Sequence, residues 1–366
     1  MRLRSLDVFR GLTMAGMVIV NNPGDWATVF APLLHAEWHG WTPTDLIFPW
    51  FLFIMGASLA QAEPARTTPG AIVGRGATLI ALGLFMAGYP RFDVTHWRIP
   101  GVLFRLGVCY TTTALAWRVL ATHDWRQSAA RACAAAAGCL VAYWALLALV
   151  APPGGVAGDV SPDGNLGAWL DRTVFGTHLY KATWDPEGLL SSLPAVGTTL
   201  AGVAAGVWMR GLRPVCAAPT LVWAGAAAML AGLTWDVVFP INKSLWTSSY
   251  ALFTAGTAAL VLGLLHRRLD DGRSSPRADA LSAPLVALGR NALLLFVVSG
   301  LVAKTLMLWK VGGGSDALSA QQWIYRRAFA PLAPPKVASL AYALANLAAL
   351  YVLLAWLHRR RWYWRA

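Results

Sequence analysis

Runs of about twenty mostly apolar residues recur from one end of the chain to the other, and about twenty is the number one helix needs to cross a bilayer core. They fall near residues 5–22, 43–62, 71–89, 99–120, 131–151, 188–209, 217–237, 246–266, 284–308 and 334–357. Lipid offers no partner for an unsatisfied backbone N–H or C=O, so such segments fold as helices. The composition agrees: 57% of residues are hydrophobic and 13% charged, well below the roughly one quarter that soluble domains carry. The expected fold is an all-α bundle of ten transmembrane helices. The runs leave no room for a separate soluble domain, so residues 1–366 read as one transmembrane domain.

A net charge of +13 would suit a nucleic-acid partner if it were gathered on one face. Instead the basic residues form short clusters between apolar runs, such as Arg2, Arg4 and Arg10, Arg267, Arg268, Arg273 and Arg277, and the tail Arg359, Arg360, Arg361 and Arg365. That distribution reads as a set of topology signals and argues against nucleic acid. Alternate segments on the side of the termini hold roughly twice the Lys and Arg of the other side, which places both termini in the cytoplasm by the positive-inside rule. Cys109, Cys133, Cys139 and Cys216 lie in or beside apolar runs with no CxxC spacing, so neither a disulfide framework nor a metal site is expected. Residues 2–20 look like a signal peptide but run into Asn21-Asn22-Pro23-Gly24-Asp25 without a small-x-small cleavage site, so they are kept as the first helix. Two outer segments are long, 152–187 and 309–333, the second with Gly312-Gly313-Gly314; the charged stretch 267–280 reads as a flexible cytoplasmic linker. The chain shows no internal repeat of the kind that points to secondary transporters.

Chemistry concentrates in residues 21–56, NNPGDWATVFAPLLHAEWHGWTPTDLIFPWFLFIMG, where amides, two histidines and acids sit between two spanning runs. One reading is an aromatic belt, with Trp38, Trp41 and Trp50 as interfacial anchors and the histidines as solvated tips. The other holds His35 on a segment facing the bundle interior. Thr42-Pro43-Thr44-Asp45 has the pattern of a capping box with proline at the first helical position, and a cap that fixes the Asp45 carboxylate is compatible with a catalytic role for it. Pro49 is expected to kink the helix that follows.

Read together, RSLDVFRGLTMAGMVIVNN, HAEWHGWTPTDLIFPWFLFIMGAS, RIPGVLFRLGVCY, DPEGLLSSLPAVGTTLAGVAAG, INKSLWTSSYALFTAG and LGRNALLLF resemble the heparan-alpha-glucosaminide N-acetyltransferase family and its bacterial NagX-type relatives, over residues 4–296. The resemblance implies a multi-pass enzyme of the bacterial inner membrane that takes acetyl from cytoplasmic acetyl-CoA and gives it to an amino sugar on the far side. It places the family's active histidine on His35, its essential asparagine on Asn21, with Asn22 as the alternative, and its acid on Asp45. It also raises a homodimer, without identifying a contact. The large N-terminal extension of the animal enzyme and its outer loops are not matched, so acceptor identity does not carry over. The chemistry is consistent: aminolysis of a thioester needs a base, a donor for the oxyanion and exclusion of water. Neutral His35 can be the base, Asn21 the oxyanion donor and Asp45 the group that sets the imidazole tautomer.

The remaining charged residues each carry two readings. Arg10 either pairs with Asp7, three residues earlier, or meets CoA phosphates with Arg290 and Asn291. Arg105 lies deep enough that it must face protein or water, paired with an acid or lining the donor path. Lys304 snorkels. Asp185 and Glu187 either cap the sixth helix or attract a cationic amino sugar, with Trp184 or Trp246 as a stacking face and Asn242, Lys243, Ser248 and Ser249 adding hydrogen bonds. Two other functions fit the same sequence: O-acyl transfer to a cell-envelope glycan and solute transport.

Overall fold

A computed structural model describes residues 3–95, 97–271, 275–312 and 317–364. Gly313 and Gly314 of the glycine triplet, and Arg2, Arg273 and Arg365 of the basic set, lie outside the described residues. The described chain is all-α: α1 (Arg4–Asn21), α2 (Ile47–Leu59), α3 (Pro69–Gly88), α4 (Val102–Leu120), α5 (Trp125–Leu149), α6 (Leu166–Phe175), α7 (Ser192–Gly211), α8 (Pro214–Asp236), α9 (Ser248–Leu269), α10 (Pro276–Arg290), α11 (Ala292–Leu308), α12 (Ala320–Ile324) and α13 (Pro335–Arg359). Among these, α3, α5, α7, α8, α9 and α13 are long and apolar enough to cross a membrane, and α10 with α11 forms a seventh such segment broken by a 72° bend. The protein is therefore a multi-pass membrane protein. Its only strands among the described residues are β1 (Lys310–Val311) and β2 (Leu318–Ser319), an antiparallel pair with Lys310 opposite Ser319.

The chain forms two compact units: Met1–His35, Thr42–Ile47 and Ser274–Arg365 in the first, Ala36–Trp41 and Phe48–Arg273 in the second. In the first unit α1 lies along α10 at very short range. A Cβ on Gly11 would stand 1.9 Å from the Leu285 carbonyl oxygen, and one on Gly289 1.9 Å from that of Asp7, so only glycine permits this crossing. In the second unit α7 is the central element, with 83% of its apolar window buried against 17% for α3. Its Ala, Gly and Thr residues let neighbours approach, and a Cβ on Gly202 would fall 2.0 Å from the Phe53 carbonyl oxygen of α2.

Helices occupy all ten of the expected apolar runs, but four features differ from the sequence reading. The run 284–308 is bent at Asn291, whose side chain is fully buried and donates to the Trp362 carbonyl at 3.1 Å while accepting from the Trp364 N–H at 3.1 Å. Binding the tail in this way takes the place of helix continuity. The stretch 267–280 is not one long linker, because α9 continues to Leu269 and α10 begins at Pro276, capped by Ser275. The outer segment 152–187 contains α6, and 309–333 contains the β pair, α12 and a π-helical turn, Tyr325–Phe329. Finally, Pro43–Leu46 is a 3₁₀ turn and the α-helix starts at Ile47, so Pro49 sits in its first turn, where a missing N–H costs little.

Candidate active site

In the first unit α1 ends at Asn21, and the chain then passes through short 3₁₀ turns at Trp26–Thr28, Ala31–Leu33 and Pro43–Leu46. Thr42 and Asp45 form a reciprocal capping box, with the Thr42 N–H donating to Asp45 Oδ2 at 3.0 Å. The Thr42 hydroxyl donates to the Leu34 carbonyl at 2.6 Å, tying the cap to the residue just before His35. Asp45 is fully buried by this arrangement, and its other oxygen lies 2.6 Å from His35 Nδ1. A carboxylate can only accept, so Nδ1 of the neutral imidazole carries the proton and Nε2 keeps its lone pair. The His35 side chain is 52% exposed.

The two asparagines differ. Asn22 is buried and donates to the Val18 carbonyl at 2.7 Å, closing the end of its own helix. Asn21 is exposed and makes no side-chain hydrogen bond among the described residues, so its amide is the one available to a ligand.

At the other end of α1, Arg10 and Arg290 share one buried acid. Arg10 Nη1 is 3.2 Å from Asp7 Oδ1, and Arg290 Nε is 3.5 Å from Asp7 Oδ2. Arg10 also donates to the Gly289 carbonyl at 3.4 Å, and Arg290 to the Tyr363 hydroxyl at 3.1 Å. The ion pair of Asp7 with Arg10 is thus present, and Arg290 shares the same carboxylate. Asn291 is committed to the C-terminal tail, as described above.

In the second unit Arg98 gathers Asp185 and Glu187. Nε and Nη2 of Arg98 bond both Asp185 oxygens at 2.8 and 2.6 Å, Nη2 also donates to Glu187, and the guanidinium lies 4.7 Å from the centre of the Tyr180 ring. Burial opposes the charge of Arg98, but its hydrogen bond to Asp185 and the two negative charges outweigh burial and hold its pKa above the ordinary range. Both acids expected to greet a cationic sugar are therefore closed onto an arginine. Arg105 is fully buried, with its Nη2 on the Gly188 carbonyl at 3.1 Å and on Ser191 Oγ, and its guanidinium 4.9 Å from the centre of Trp246. Its Nε and Nη1 have no partner among the described residues. Trp246, expected as a stacking face, is buried beneath it. Asn242 is buried too, accepting from the Leu245 N–H at 2.8 Å, with its Nδ2 3.4 Å from His39 Nδ1; Lys243 is half-buried. Trp38 donates to the Val160 carbonyl at 2.9 Å and Trp50 to Thr257 at 2.9 Å, so these two are packed within the second unit.

The sequence of residues 2–213 matches the model of the catalytic region of heparan-alpha-glucosaminide N-acetyltransferase. The chain belongs to this family. It is 28% identical over 361 residues to the heparan-alpha-glucosaminide N-acetyltransferase of Mus musculus, an alignment covering 81% of this chain and 53% of the mouse protein. To the protein of the same name from Homo sapiens it is 27% identical over 360 residues, covering 81% of this chain and 52% of that one. The chain thus spans about half the length of the curated relatives it matches.

Among the residues that the sequence of this N-acetyltransferase family member left unremarked, Asp171 on α6 stands out. It is buried, accepts from the Leu189 N–H at 2.8 Å, and touches the position of the Gly188 Cβ. Burial, reinforced by Asp185, pushes its carboxyl up to about 6 against the pull of the Leu189 N–H and of Arg105 and Arg172. Only its place on the apolar side of a ten-residue amphipathic helix could have marked it in advance.

Proposed function

We propose that this chain transfers acetyl from cytoplasmic acetyl-CoA to the amine of an extracytoplasmic amino sugar, with His35 as general base. The observation that carries the reading is the His35–Asp45 pair: a buried, doubly capped carboxylate holding Nδ1 of a half-exposed imidazole at 2.6 Å. Membership of an N-acetyltransferase family supports the reaction class. The acceptor nitrogen attacks the thioester carbon, His35 Nε2 takes the ammonium proton, and the C–S bond breaks to release CoA thiolate, which that proton then neutralises. Asn21 donates to the oxyanion. The acetyl group goes directly to the acceptor, with no acetyl-histidine intermediate.

Arg10 and Arg290 receive the phosphates of CoA, and Asn291 holds the tail that carries Tyr363 beside them. Arg105 offers its two open donors to an oxygen of the acyl donor. Asn242 and Lys243 are proposed acceptor contacts, while Asp185 and Glu187 act through Arg98. Ten crossings, both termini in the cytoplasm, the inner membrane as location and a single catalytic domain complete the proposal. The test is purified protein in detergent with labelled acetyl-CoA and a panel of amino and neutral sugars. Labelled N-acetyl product is expected; label on hydroxyl oxygen alone would favour O-acyl transfer, and binding of intact sugar with no acetylation at all would favour a transporter.

A further inference from the structure

Residues 309–337 carry Lys310, Arg326, Arg327 and Lys336 against one acid in the sequence, Asp316. They fall on the side of the membrane that the proposed topology leaves poor in Lys and Arg, so topology does not account for them. Two of the four, Lys310 and Arg326, line a cavity of about 320 Å³ at the ends of α1 and α11 in the first unit, together with Asp25, Trp26, Met307 and Gln321. Neither cation forms an ion pair among the described residues.

Local structure fixes both. The antiparallel pair sets Lys310 opposite Ser319, and Ser319 and Gln322 cap each other at 3.1 Å, which anchors the start of α12. The π-helical turn that follows puts Arg326 at the same wall, and such turns recur at functional sites. On the other rim the Ser339 hydroxyl bridges the Asp25 N–H and carbonyl, both at 3.1 Å, and Gln321 donates to the Pro23 carbonyl at 2.9 Å. Residues some three hundred positions apart are thereby held around one polar space.

Its surroundings are those of a membrane interface. α11 is the second arm of the bent crossing segment, and Val302, Met307, Leu308 and Trp309 are exposed along it. Trp26 and Trp323 are exposed as well. Indoles beside cations at the end of a crossing helix mark the level where acyl chains meet headgroups. A soluble anion would use the cations and leave the exposed apolar side chains uncovered, whereas a phospholipid engages both. Lys310 and Arg326 against Asp25, the one acid among the described lining residues, favour a headgroup with net negative charge over a zwitterionic one. Asp25 and the Gln321 carbonyl can accept from headgroup hydroxyls.

We infer that this cavity holds the headgroup of an anionic phospholipid, with Lys310 and Arg326 on its phosphate, Asp25 and Gln321 on its hydroxyls, and its acyl chains along the exposed side of α11. The bound lipid braces Gly24, Asp25 and Trp26, where the loop toward His35 begins. Nothing in this site depends on the transfer reading.

The test uses full-length, delipidated protein in detergent, titrated with phosphatidylglycerol, phosphatidylethanolamine or phosphatidylcholine, with binding read by native mass spectrometry and stability by thermal melts. Phosphatidylglycerol should bind most tightly and raise the melting midpoint most. Arg326→Gln and Lys310→Gln should each weaken phosphatidylglycerol about fivefold while leaving phosphatidylcholine within roughly twofold. Arg326→Lys keeps the charge and should restore most of the loss, and Trp309→Ala should weaken all three lipids alike. Equal affinity for the three lipids, or an affinity for phosphatidylglycerol that neither glutamine substitution changes, would overturn the inference. Inorganic phosphate or glycerol 3-phosphate that displaces phosphatidylglycerol at equal concentration would overturn it too, making this a site for a soluble anion.

Discussion

Asp45 and Asp185 are both fully buried carboxylates that brace a turn at the approach to a helix, yet they hold very different partners. Asp185 gives both oxygens to the permanently charged Arg98 and accepts the Tyr180 and Glu187 N–H groups at 2.7 and 2.9 Å, so little capacity is left over. Asp45 gives one oxygen to its cap and the other to an imidazole that can change charge and is half exposed. The same local device yields a lock in one place and, in the proposed mechanism, an oriented base in the other. What separates them is the partner's ability to titrate and its access to solvent, not the burial of the acid.

The comparison breaks if His35 behaves like a lock. His35→Ala should retain acetyl-CoA affinity and folded yield but lose ~10²- to 10⁴-fold in turnover, the usual range for a general base, as measured by steady-state kinetics on purified protein. Arg98→Gln should do the opposite: leaving two buried acids without their cation costs about 3 to 5 kcal/mol, read as a lower thermal midpoint in detergent, while donor affinity in the surviving protein is unchanged. A stable Arg98→Gln protein with lost turnover would reverse the two assignments. Asp45→Asn keeps an acceptor for the cap but removes the carboxylate that fixes the imidazole, and should lower turnover by about tenfold or more with little change in stability.

A smaller effect sharpens the lock side. Asp171 binds its proton more tightly in the folded chain, since its carboxyl is raised from 3.8 to about 6. Between those values the folded state holds more protons than the unfolded one, so stability contributed by this group is highest in acid and falls as pH rises through about 6. Asp171→Asn should flatten that part of the stability profile; an unchanged slope in thermal melts between pH 4 and 6.5 would assign it elsewhere. The smallest effect is expected of His39→Ala, within about threefold of wild-type turnover, because His39 Nδ1 faces the Asn242 amide and not a carboxylate.

Much of this was legible before the structure, for identifiable reasons. Helix positions follow from the length of apolar runs, a requirement of the bilayer and not of tertiary contacts. The Thr42-Pro43-Thr44-Asp45 cap is local, and so is the spacing that brings Asp7 to Arg10. The bend at Asn291 was hidden because its cause is the tail more than seventy residues on, and the commitment of Asp185 to Arg98 spans 87 residues. The cavity around Trp26 joins residues 24–26 to 307–326, and no periodicity connects two loops so far apart. That Arg105 lies over Trp246 was equally hidden, because composition shows an aromatic but not what packs on its face.

The central proposal is that His35, oriented by Asp45, takes a proton and never the acetyl group. Mixing the purified protein with labelled acetyl-CoA alone, quenching within one turnover and weighing the intact chain tests it most directly. The account predicts no acetyl adduct and no burst of free CoA until glucosamine is added, when label appears only in the N-acetyl product. An acetyl group on His35 that forms with donor alone and then passes to the added sugar would contradict it and make His35 the nucleophile.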